Sequence, residues 1–183
     1  MLPHLKLGFS QDDCASAIAI TEGIFTVNAI DGTEVPSPIC AANGGGATAG
    51  KWYTYTAQEN LGLTVTTDLS QNQNQEPQAD TRFHVYTGAC GDLVCHSGDD
   101  DAGTGFLSVA EFNVEAGTTY YIAFDNKWNS SGFDFQIIEG AVIAEPETII
   151  TFTSTSSETD GTQRALVDMN GDYLDDIVSF FFF

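Results

Sequence analysis

The sequence predicts an all-β protein, a two-sheet, jelly-roll-like β-sandwich with a short C-terminal calcium-loop segment. Short runs rich in β-branched and aromatic residues recur between clusters of Gly, Asn, Asp and Pro, which is how strands and turns alternate. Several runs alternate apolar with polar residues at the two-residue period of a pleated strand. No segment sustains the 3.6-residue period of an amphipathic helix.

Taken in chain order, residues 1–11 (MLPHLKLGFSQ) lack a proper apolar h-region but end like the tail of a signal peptide, and read as a signal-peptide remnant or an artificial start. The sandwich is expected over 12–141, with strands at 23–30, 51–57, 61–69, 81–87, 106–114, 118–125 and 132–139. Alternation assigns Leu61, Leu63, Val65, Phe83, Val85, Tyr120, Ile122, Phe124, Phe133, Phe135 and Ile137 to the core. Trp52 is read as core as well, and His84, between Phe83 and Val85, as facing solvent. The Gly in EAGTTYYIAFD marks a hairpin turn, and QNQNQEPQAD a mobile surface loop. Residues 142–165 form a connector with an eighth strand at 147–153 and a Ser/Thr-rich linker. Residues 166–183 hold a distinct acidic motif with an apolar tail.

Composition bounds the function. Asp and Glu number 26 against 5 Lys and Arg, a formal charge of −21, which repels nucleic acid and anionic membranes. A chain 42% hydrophobic and 11% aromatic is not a disordered polyanion, so the acidity points to cation ligation or salty surroundings. No apolar run approaches the roughly 18 residues of a membrane-spanning helix. The four cysteines lack zinc spacing and read as disulfides, which implies a secreted or cell-surface location. Proximity favours Cys14 with Cys40 and Cys90 with Cys95, although four cysteines permit three connectivities.

The most specific local signal is VDMNGDYLDDIV, in which Asp168, Asn170, Asp172 and Asp176 occupy positions 1, 3, 5 and 9 of a tight loop and the Leu174 carbonyl position 7. Hard oxygen donors at alternate positions suit Ca2+, with Gly171 permitting the turn, while a solvated acidic turn is the plainer reading. Position 12 is Ser179 instead of the Glu of an EF-hand, and the loop resembles an FG-GAP or VCBS-type repeat. Such repeats build propellers; a single one is incomplete, so the chain is expected to be a fragment or a truncated product. A second acidic run, Asp99, Asp100 and Asp101, is either solvated or shares a cation.

Five stretches, DDCASAI from Asp12, KWYTYTA from Lys51, ADTRFHVYTGACGDLVC from Ala79, DDD from Asp99 and GTTYYIAFD from Gly117, resemble a secreted Bacteroidota module. That module is similar to bacterial pre-peptidase C-terminal and CUB-like jelly-roll domains, and the likeness covers about three quarters of the chain. Its usual V-W-Y or V-W-F is Lys51, Trp52 and Tyr53 here. The resemblance implies a sandwich appended to secreted hydrolases, adhesins and repeat proteins, and a calcium site between neighbouring acidic loops, for which Asp80, Asp99, Asp101 and Asp125 are the candidates.

No nucleophile with a base, no H-E-x-x-H and no phosphate loop appears, and the GGG run at Gly44 to Gly46 lacks a following helix and Lys. His4, His84 and His96 are scattered, and no carboxylate pair stands out for glycosidase chemistry. The expected function is therefore non-catalytic: a calcium-binding module for adhesion or for an extracellular polysaccharide or surface polymer. Trp128 and Tyr53 are stacking candidates, with Asn126 and Asn129 as hydrogen-bonding neighbours. The alternative is self-assembly into fibres or arrays, with the terminal IVSFFFF pairing into another copy, set against a truncated end.

Overall fold

A computed structural model describes residues 11–144 in full, and the backbone of two further strands at Thr162–Val167 and Asp176–Phe181. The chain divides into two compact units, Met1–Ile143 and Ala144–Phe183. The first contains β1 (Ile18–Ile20), β2 (Gly23–Ala29), β3 (Gly50–Thr56), β4 (Leu61–Thr66), a short helix α1 (Ser70–Gln73), β5 (Arg82–Ala89), β6 (Asp92–Asp100), β7 (Val109–Val114), β8 (Thr119–Asp125) and β9 (Ser131–Gly140). One sheet has the order β1-β3-β8-β5-β6 and the other β2-β9-β4-β7.

The antiparallel pairs β5·β6, β4·β7, β3·β8 and β2·β9 are nested, like one long hairpin rolled so that successive pairs fall in alternate sheets. This is the expected jelly-roll sandwich. The residues assigned inward by alternation are all buried between the sheets. Phe135 lies at the centre of that core, with ring centroids 4.8 Å from both Tyr53 and Phe124.

Strand β6 (DLVCHSGDD) is absent from the expected set, because Asp and Gly are poor strand formers. It forms as an edge strand, paired among the described residues with β5 alone, through a two-residue turn at Cys90 and Gly91, the latter at φ +92°. At an edge its carboxylates protect the sheet against adding another strand. The QNQNQ stretch also departs from a mobile loop. It opens with α1, and Asn72 is fully buried, donating to Thr67 O and Asp134 O, both at 2.6 Å, and accepting from Asp134 N at 3.0 Å. Asn72→Ala, which takes their partner from the buried Thr67 O and from the part-buried Asp134 O and N, should lower unfolding free energy by about 2 kcal/mol in denaturant titrations.

The five-stranded sheet is covered on its outer face too. There Trp52 stacks on Tyr86, centroids 5.9 Å apart, beside Cys14 and Ala123. The loop between β2 and β3 lies over them, with Trp52 Nε1 donating to Glu34 O and Tyr86 Oη to Pro38 O. His84 is buried under the same loop, so it does not face solvent. The loop approaches closely because residue 98 is Gly: a Cβ there would lie 3.2 Å from both Ala41 N and Cys40 C.

The disulfides correct the pairing expected from proximity. Cys14 is bonded to Cys90 and Cys40 to Cys95, with Cα atoms 5.7 and 5.4 Å apart. Cys90 sits in the β5–β6 turn, whereas Cys95 lies three residues beyond Asp92, where β6 starts. An extended strand carries it about 10 Å further along, beyond the roughly 7 Å Cα limit of a disulfide. Each bridge instead ties the loops over the outer face to the β5–β6 hairpin.

In the second unit, Thr162–Val167 (β10) pairs antiparallel with Asp176–Phe181 (β11), from Val167 opposite Asp176 to Thr162 opposite Phe181. Strand β10 thus begins within the stretch expected to be linker. The strand expected at 147–153 lies outside the described residues. No helix among the described residues is long and apolar enough to cross a membrane.

Candidate metal centre

At one end of β5 and β6 the antiparallel register sets Asp100 opposite Arg82. Asp80 lies two residues before β5, and Asp101 follows β6 at φ +85°. Asp80, Asp100 and Asp101 each place one carboxylate oxygen so that the three lie within 4.8 Å of one another. Asp100 is only 9% exposed, Asp80 half-buried and Asp101 exposed, so the cluster opens toward solvent on the Asp101 side.

The hydrogen bonds of this cluster are incomplete. Asp100 Oδ2 accepts from Asn43 Nδ2 at 2.6 Å and Trp128 Nε1 at 3.3 Å. Asp100 Oδ1 and Asp80 Oδ1 are both shielded from solvent and have no partner among the described residues. Among the described residues none of the three carboxylates has an ion pair. Burial, reinforced by Asp101 and Asp100, pushes the Asp80 carboxyl up to about 6. Burial, then Asp100 and Asp99, also raises Asp101. Buried carboxylate oxygens are costly when unpaired. Three converging carboxylates, two with orphaned oxygens, are the donor set that a hard divalent cation such as calcium takes.

The cluster differs from the expected set. Asp80 and Asp101 belong to it, but Asp99 does not. Successive side chains of a strand point to opposite faces, and Asp99 Oδ2 instead accepts from Ala102 N and Val109 N, both at 2.9 Å, closing the loop after β6. Asp100 takes its place. Asp125 lies on the outer face of the five-stranded sheet in a separate buried network. Arg82 Nε and Nη2 donate to Asp125 Oδ2 at 2.9 and 2.6 Å, and His84 Nε2 lies 2.8 Å from the same oxygen. His84 Nδ1 accepts from the backbone N–H of Cys40 and Ala41, so the ring proton sits on Nε2 and is donated to Asp125. Burial alone would raise the Asp125 carboxyl, but the bonds from His84 and Arg82 outweigh it and hold it below the usual range.

This network positions the loop that carries Asn43. Arg82 Nη1 donates to Ala42 O and Gly44 O at 3.1 and 2.6 Å, and Lys127 Nζ to Asn43 O and Gly44 O, fixing Asn43 over Asp100. Of the stacking candidates, Tyr53 is buried between the sheets and presents no free face, whereas Trp128 is 51% exposed. Asn126 Oδ1 accepts from Thr48 N and Ala49 N and holds the chain entering β3. Of the first expected calcium loop, Asp168, Asn170, Asp172 and Leu174 lie outside the described residues. Asp176 opens β11, and the intervening residues 168–175 connect two paired strands.

Compared with family models, curated proteins and solved structures, the chain matches none of them.

Proposed function

We propose that this chain is a non-catalytic, extracytoplasmic calcium-binding module that serves adhesion or the binding of a carbohydrate or surface polymer. The observation that carries the reading is the pair of solvent-shielded, partnerless oxygens of Asp80 and Asp100 converging with Asp101. A divalent cation would supply the missing partner of both oxygens at once and neutralise charges that otherwise repel. The two disulfides support an oxidising compartment. The non-catalytic reading is supported by the His84–Asp125 pair, which among the described residues comes nearest to an acid–base dyad: both ring nitrogens are engaged and the ring is buried under a loop.

Thermal unfolding of the oxidised protein in calcium and in excess chelator tests this. A ligand at 100 times its dissociation constant stabilises the folded state by about 2.7 kcal/mol. For a chain of this size that is a rise of roughly 5 to 10 °C. Asp80→Asn should remove the part of the rise due to this cluster while melting no lower than wild type in chelator, because its buried oxygen has no partner to lose. Identical wild-type melting in the two media would refute the reading.

A further inference from the structure

The metal centre has a neighbour that the cation alone does not explain. Trp128 is anchored at its rim, its indole N–H bonded to the Asp100 oxygen that also receives Asn43. Lys127 Nζ lies 4.7 Å from the centroid of the same ring and is itself held by Asn43 O and Gly44 O. The indole is therefore fixed at its edge and occupied by a cation on one face, yet half of it stays exposed. A large aromatic side chain held rigid in water beside an incomplete cation site is arranged to meet a ligand rather than to pack.

Resting on the calcium reading above, we propose that cation and indole form one binding site, whose ligand is a neutral sugar carrying vicinal hydroxyls. Calcium takes six to eight oxygens, and the three aspartates supply only part of that shell. The rest opens on the exposed Asp101 side, where two adjacent hydroxyls can enter together. A pyranose also has an apolar C–H face, which the open surface of Trp128 accepts while the hydroxyls reach the cation beside Asp100. Charge selects among sugars. Three carboxylates around one divalent ion leave a net negative site on a chain of formal charge −21, so uronates and sulfated polymers are repelled and neutral glycans accepted.

The test is retention of the full, oxidised chain on mannose-, fucose- and galactose-agarose in calcium, with elution by chelator. Melting in both media is run alongside. Wild type should be retained on at least one resin and released by chelator. Trp128→Ala should bind about tenfold more weakly or worse, the loss expected for an aromatic anchor, while keeping the calcium-dependent melting rise. Trp128→Phe, which keeps a stacking face but not the N–H, should stay within about threefold of wild type. Asp80→Asn should lose retention. A calcium-dependent melting rise with no retention on any of the three resins overturns the sugar inference and leaves the calcium reading standing. So does retention that survives chelator, that is unchanged in Trp128→Ala, or that appears only on heparin or alginate beads. Absence of the melting rise overturns the calcium reading itself.

Discussion

Asp125→Asn is expected to lower the unfolding free energy by about 3 to 5 kcal/mol, the range for removing one partner of a buried ion pair. Asp125 and Arg82 have fully buried side chains, and the Asp125 carboxylate answers the guanidinium, the His84 N–H and the Lys127 backbone N–H together. The Asn variant leaves the Arg82 charge buried without a counter-ion. Arg82→Met should be comparably damaging, and it also releases Ala42 O and leaves Gly44 O to Lys127 alone. Because the two side chains form one network, the double variant should lose clearly less than the sum of the singles. The pH dependence has a definite sign. The Asp125 carboxyl is held below its ordinary value of 3.8, so its stabilisation is complete above about pH 4 and is lost as the pH falls through the depressed value. Urea titrations at neutral and acid pH should show that this part of the acid sensitivity vanishes in Asp125→Asn.

Removing either disulfide should be nearly as costly. Cys14 and Cys90 are 76 residues apart and Cys40 and Cys95 are 55 apart. The chain-entropy argument assigns about 4 kcal/mol to each, with a difference of only about 0.3 kcal/mol between them. Cys14→Ser/Cys90→Ser and Cys40→Ser/Cys95→Ser should therefore destabilise to a similar degree. Removal of both bridges approaches the whole stability of a typical domain, about 5 to 15 kcal/mol. The second variant should in addition weaken calcium binding, since Cys40 tethers the loop that carries Asn43 to Asp100. Peptide mapping without reductant checks the connectivity directly: a Cys90–Cys95 peptide would contradict it.

The sandwich was legible because most of its strands have one covered face. Phe133, Phe135 and Ile137 on β9, or Leu61, Leu63 and Val65 on β4, announce their direction by parity alone. The outer face of the five-stranded sheet was not legible. In β5 the residues Arg82, Phe83, His84, Val85 and Tyr86 are all buried, yet Arg82 and His84 look like solvent positions. Their partners, Asp125 and the loop at residues 40–44, are about 40 positions away in sequence. The same limit applies to the carboxylate cluster. Asp80 and Asp101 are named only through the resemblance to calcium-holding acidic loops, and the choice between Asp99 and Asp100 depends on strand parity. A one-residue ambiguity in β6 turns every side chain to the other face. With β6 unrecognised, nothing in DDD distinguished the carboxylate that enters the cluster from the one that ties the loop. The disulfide pairing failed for a related reason, since proximity in sequence ignores how far an extended strand carries its residues.

Calorimetric titration of calcium into the oxidised full chain, compared between wild type and Asp80→Asn/Asp100→Asn, decides whether the aspartate cluster holds calcium. Wild type should bind at least one calcium with measurable heat, and the double variant, still folded by its unfolding transition, should bind one equivalent fewer. Equal stoichiometry and affinity in the two proteins, or no binding to wild type, would contradict it.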